Sequence, residues 1–235
     1  MKKVILAIMV VAFLASNAMA VMTVDVIRKS GYYGYNGGGE FTLTQKTGSD
    51  PIPGYTGPWQ TFCVERNEYV MPPKTANFTI ETYAVEGGKG GQEPVGSNMD
   101  PLNARTAFLY QKFLDGSLAA YGYNYTPGTG RSNSANSFQN VVWFIEGELV
   151  TTQEQSWYNN DAQAKAWFVL ADNAVNSGAW TGIGGIRVAN LYTYDSNGHV
   201  QYHQSQLIRV PAPGAILLGS IGIGLVGWLR RRHAM

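Results

Sequence analysis

The sequence is poor in cysteine, histidine and charge. Its 235 residues include one Cys, three His and only 14% charged residues, against roughly 25% in soluble domains. One Cys excludes an intrachain disulfide and any multi-Cys metal site. There is no P-loop, dinucleotide fingerprint, zinc-binding motif or Gly-x-Ser-x-Gly elbow, so no cofactor or metal is expected. No internal repeat is present. Gly (28), Tyr (14) and Trp (6) are abundant, within a chain that is 45% hydrophobic. That is enough apolar material for a sizeable core at this length, and the scattered glycines fit neither collagen nor a disordered chain.

The two ends read as targeting segments. Lys2 and Lys3 precede an apolar run over 4–14, and Ala18-Met19-Ala20 supplies small residues at a cleavage point. These are the parts of a secretory signal peptide over 1–20. At the other end, Val210-Pro211-Ala212-Pro213 is followed by an apolar, glycine-rich stretch over 214–229 and then Arg230, Arg231 and Arg232. Sixteen residues at about 1.5 Å each span about 24 Å, slightly less than a hydrocarbon core of about 30 Å. Trp228 and the arginines relieve the mismatch at the interface. The stretch is therefore expected to be a transmembrane helix with a basic cytoplasmic tail over 230–235.

A short motif, a span and a basic stop resemble the PEP-CTERM sorting signal of Gram-negative bacteria. The residues that carry the resemblance are Val210, Pro211, Pro213, the span and the three terminal arginines. The family usually has Glu between the prolines, where this chain has Ala212, as in a VPAPGA variant. The resemblance implies export, transient anchoring in the inner membrane, cleavage by an exosortase-like enzyme near 210–213, and release to the cell surface or exopolysaccharide matrix. All 16 acidic residues but only 12 of the 17 basic ones lie within 21–209. This ectodomain thus carries a net charge of −4, and without a basic stripe it is not expected to bind nucleic acid.

The pattern within 21–209 predicts an α+β fold, an antiparallel β-sandwich or barrel with a helical insertion. Segments 40–45 and 77–85 alternate apolar and polar residues and are rich in β-branched and aromatic types. Gly37-Gly38-Gly39 and the prolines at 51, 53, 72 and 73 mark turns. Asp100-Pro101 reads as the start of a first helix, with Leu102, Thr106, Leu109 and Phe113 on one face and Gly116 as its stop. A polar loop over 121–134 then leads to a second helix starting near Asn136, with Phe138, Val142, Ile145 and Leu149 inward. A third helix is expected from about Asp161 to Asn176, ending at Gly178. Segments 187–195 and 199–210 flank Ser196-Asn197-Gly198, a strong hairpin signal.

Cys63 lies in Thr-Phe-Cys-Val-Glu over 61–65, in an expected strand. Gln139 lies in Gln139-Asn140-Val141-Val142-Trp143, in the expected first turn of the second helix. The pair, in this order, resembles the signatures of bacterial thioester domains, in which a Cys is cross-linked to the Gln of a Gln-x-Ala-Ile-Trp-like motif. Val141 and Val142 stand here for Ala and Ile. The resemblance implies a self-formed Cys63–Gln139 thioester and adhesion to targets that bear amines. A helix N-terminus beside Cys63 would favour the thiolate and the oxyanion. Helical spacing puts Trp143 (i+4) and Glu146 (i+7) on the face of Gln139, the first as a shield and the second as a proton carrier.

The expected function is covalent attachment at the surface or in the matrix. The alternative is a non-covalent structural or carbohydrate-binding biofilm matrix protein, whose many Tyr and Trp stack on sugars. Classical enzymatic turnover is not expected. His199 and His203 fall in a polar hairpin, and Glu146 and Glu148 (i, i+2) point apart on a helix, so they cannot flank a glycosidic bond.

Overall fold

The computed structural model describes residues 22–34, 37–49, 51–52, 55, 57–86 and 97–210. The expected signal peptide, Pro211, Pro213, the span over 214–229 and Arg230, Arg231 and Arg232 lie outside these. No helix among the described residues is long and apolar enough to cross a membrane.

The described residues fold as a mixed α/β structure, a curled antiparallel half-barrel with four helices among them. Alternating residues make the strands. In β1 (Met22–Ile27), Val24 and Val26 are buried while their neighbours face outward. β1 pairs with β2 (Phe41–Gln45) on one side and β4 (Lys74–Glu81) on the other. β3 (Trp59–Thr61) extends the sheet beyond β2, and β7 (Ile186–Tyr194) extends it beyond β4. The far side of β7 pairs with β8 (Val200–Tyr202) and then β9 (Gln206–Arg209). The expected Asn-Gly turn connects β7 to β8, with Gly198 at φ 81°. β5 (Tyr83–Val85) and β6 (Met99–Pro101) form a separate small ribbon. The expected sandwich-or-barrel choice thus resolves to one curled sheet.

The curl brings the two edges of the sheet together. Just beyond β3, Val64 N–H donates to Ser205 O at 2.9 Å, and Leu207 N–H donates to Phe62 O at 3.0 Å. Between these bonds Cys63 pairs with Gln206 as an isolated antiparallel bridge. Tyr110 pins the same seam, because its fully buried hydroxyl donates to Gln60 O at 2.8 Å and Leu207 O at 3.1 Å. Cys63 therefore does not lie within a strand, as the sequence suggested, but in the stitch that joins the sheet's edges.

All four helices lie between β6 and β7, as the expected insertion. α1 (Ala104–Leu114) begins later than Asp100-Pro101 suggests: those residues pair with β5, and Asn103 caps the helix by accepting from Arg105 N–H at 3.0 Å. A short 3-10 turn over Ser117–Tyr121 follows. α2 (Thr129–Ile145) begins seven residues before the expected start at Asn136. Its first half buries Arg131, Ser132, Ser134 and Ala135, a face of small and polar residues with no apolar period to read. Gly34 allows that closeness, since a Cβ there would lie 2.9 Å from Asn136 N. α3 (Thr152–Asn159), absent from the expectation, is set by a Thr151–Glu154 capping box. α4 (Ala162–Asn176) matches, with Asp161 as N-cap and Gly178 left-handed beyond its end. Phe62 of the seam meets Phe138 of α2 at 4.3 Å and Phe113 of α1 at 5.1 Å between centroids, so the aromatic core packs directly beside Cys63.

Candidate functional site

The fold brings Cys63 and Gln139 together, 76 positions apart in sequence and both buried. The seam holds Cys63 and the middle of α2 carries Gln139. The Gln139 carbonyl oxygen accepts from Cys63 N–H at 3.0 Å and from Gly39 N–H at 2.9 Å. Its amide nitrogen donates to Cys63 O at 2.8 Å. Two N–H groups converging on one carbonyl oxygen form the arrangement that stabilises an oxyanion during acyl transfer.

Helix α2 already spans ten residues before Gln139, so the side chain is not in a first turn. This corrects the expected source of activation. Free helical N–H groups and the dipole act only at a terminus, and here the donors come from the glycine loop and the seam instead.

The glycines read as a turn are the cover of this site. A Cβ on Gly38 would lie 2.1 Å from Gln139 Cγ, and one on Gly39 would lie 2.7 Å from Thr61 O. Only a backbone without side chains lies this flat on the Gln139 amide. Glu40 anchors the loop: its fully buried carboxylate accepts from Arg131 Nε at 2.9 Å, Arg131 Nη2, and Tyr123 OH at 2.7 Å. Arg131 lies on the same helix as Gln139, so loop and glutamine share one rigid support.

Burial pushes the Cys63 thiol up to about 12. Gln206 Nε2, which donates to Sγ at 3.4 Å, and the N–H groups of Gly39 and Cys63 oppose that rise. The sulfur has no exposure to solvent, and the N–H groups that oppose the rise are the two that hold the Gln139 oxygen.

Trp143 and Glu146 have other partners. Trp143 is buried with its ring 6.3 Å from that of Trp157. Glu146, at the end of α2, turns to the start of α1 and accepts from Asn103 N–H at 3.3 Å. Burial raises its carboxyl to about 8. His203 bonds Thr193 at 2.9 Å, and the exposed His199 pairs with Asp195 at 3.2 Å, so each hairpin histidine is engaged within its own hairpin. Val210 N–H closes the described chain on Gly185 O at 2.8 Å. Sequence reasoning missed Gly38, Gly39, Gln206 and the Glu40–Arg131 pair. Only the triple glycine left a signal, and it reads equally well as a turn. The chain matches no protein-family model, curated protein or solved structure.

Proposed function

We propose that this chain is an exported surface or matrix protein that attaches covalently to amine-bearing targets through a thioester between Cys63 and Gln139. The observation that carries the reading is the seating of the Gln139 carbonyl between two N–H groups beside a buried cysteine. The Cys63 sulfur attacks Gln139 Cδ, and negative charge develops on Oε1, where the N–H groups of Gly39 and Cys63 receive it. The C–N bond breaks, the nitrogen leaves as ammonia with the proton lost by the thiol, and an S–C bond remains. A target amine later attacks the same carbon, forms an amide with Gln139 and returns the thiol. Burial favours the product, because a neutral thioester replaces two polar groups in a site that excludes water. In the amide form, Gln139 serves as a clamp on the Cys63 backbone.

Labelled methylamine tests the reading. One label should appear on Gln139 together with one newly alkylatable thiol at Cys63, and neither should appear in Cys63→Ala protein. Equal labelling of both proteins would refute it.

The signal peptide, the sorting motif and the exosortase-like partner belong to the same proposal and rest on the terminal sequences. A second reading, non-covalent glycan binding, draws on a groove of about 490 Å³ lined by Tyr55, Trp59, Tyr125 and Arg209. The half-buried Tyr55 and Tyr125 offer rings of the kind that stack on sugars, with buried Trp59 supporting Tyr55 at 4.4 Å. Tyr55→Ala should abolish retention on a glycan array if that reading holds, while leaving methylamine labelling intact.

A further inference from the structure

Two residues beyond Cys63 the chain places a second buried constellation. Glu65 follows the seam, Asp100 lies in β6 and Glu148 lies just past the end of α2. One carboxylate oxygen from each lies within 4.8 Å of the others, and all three residues are buried. Glu65 has no accessible surface, and neither of its oxygens has a hydrogen-bond partner among the described residues. Asp100 Oδ2 also lacks one. Glu148 Oε2 accepts from Arg66 N–H at 2.8 Å, while the Arg66 side chain is committed to Glu154. Buried acceptors are almost always satisfied, so the two bare oxygens of Glu65 and Oδ2 of Asp100 call for a ligand.

We infer that Glu65, Asp100 and Glu148 form a binding site for one divalent cation of the calcium type. All-oxygen, all-carboxylate donors select hard cations over zinc or copper. Two oxygens bound to one calcium at about 2.4 Å lie no more than about 4.8 Å apart, which the observed spacing meets. Carboxylates that bind through one or both oxygens, with water, complete six to eight ligands. The ion joins three segments distant in sequence: the one that carries Cys63, the one that leaves α2, and the small ribbon. It therefore stabilises the framework around the Cys63–Gln139 pair, whether or not that pair is cross-linked.

Calorimetric titration of chelator-treated protein tests the site, with calcium, magnesium and manganese in separate arms. One calcium per chain is expected, with a higher melting temperature in calcium than in chelator. Glu65→Gln and Asp100→Asn should each weaken binding by more than about tenfold, while Asp25→Asn should not. In chelator the two site variants should melt at or above the wild-type temperature, because each replaces an unpartnered buried oxygen with an amide nitrogen that can donate to the facing carboxylates. In calcium they should melt below it. A merely structural carboxylate gives no such reversal. Cys63→Ala protein should bind calcium like wild type, which separates this result from the cross-link. Absence of heat and of any melting shift with all three ions overturns the site, as does unchanged calcium affinity in both variants. The wild-type stoichiometry decides the matter should the variants fail to fold.

Discussion

Gly38 offers a sharp perturbation of the site. An alanine Cβ there would lie 2.1 Å from Gln139 Cγ, 2.6 Å from Cδ and 2.8 Å from Oε1. Carbon atoms pack at about 3.5–4.0 Å, so the glutamine must retreat by more than about 1 Å. That exceeds the tolerance of hydrogen bonds made at 2.9 and 3.0 Å, and the carbonyl leaves its two donors. Misplacing a reacting group by about 1 Å costs on the order of 10²-fold in rate, and overpacking costs about 1–3 kcal/mol in stability. Gly38 is not among the glycines at positive φ, so the effect is steric and not a backbone penalty. Gly37 is the matched control. It has φ 82° and open space where a Cβ would stand, so Gly37→Ala strains the backbone by about 1 kcal/mol yet leaves Gln139 in place. Timed intact-mass measurements after synthesis should show Gly38→Ala losing ammonia far more slowly than wild type, and Gly37→Ala losing it normally. The reasoning is refuted if Gly38→Ala is cross-linked as fast as wild type.

Two further outcomes follow from burial. Gln139→Ala protein cannot form the cross-link, so it reports on the free thiol. The Cys63 thiol is raised from an ordinary value of 9.0 to about 12 in the folded chain. The unfolded chain therefore loses its proton first, and stability falls as pH rises above about 9, by about 1.4 kcal/mol at pH 10. Urea unfolding of Gln139→Ala should show that slope, and Gln139→Ala/Cys63→Ala should show less of it; identical slopes contradict the burial. Arg131→Ala leaves the buried Glu40 carboxylate without its charge partner and should cost about 3–5 kcal/mol. A loss below about 1 kcal/mol in chemical denaturation would show that the pair does not hold the glycine loop.

The legible parts of the fold were those with a period or a terminal signal. β2 and β4 alternate visibly, β7 adjoins the Asn-Gly turn, and α4 is bounded by Asp161 and a following glycine. α2 hid its first half because the face it buries is Arg131, Ser132, Ser134 and Ala135, which packs through smallness and hydrogen bonding. α3 buries little beyond Glu154 and Tyr158, so only its capping box announced it. Asp100-Pro101 carries the local marks of a helix start, but pairing with β5 takes both residues and leaves the cap to Asn103. At the site, the Cys and Gln were legible as motifs. The donors around them were not, because Gly39, Gln206 and the seam itself exist only once the sheet has curled. The carboxylate cluster was equally invisible, since its members come from segments that nothing in the sequence brings together.

The mass of the intact purified protein tests the central claim most directly. A mass lower than that of its sequence by one molecule of ammonia is expected, with no alkylation of Cys63 in denaturant and loss of the deficit in both Cys63→Ala and Gln139→Ala. A wild-type mass equal to that of its sequence, with Cys63 fully alkylated on unfolding, would contradict it.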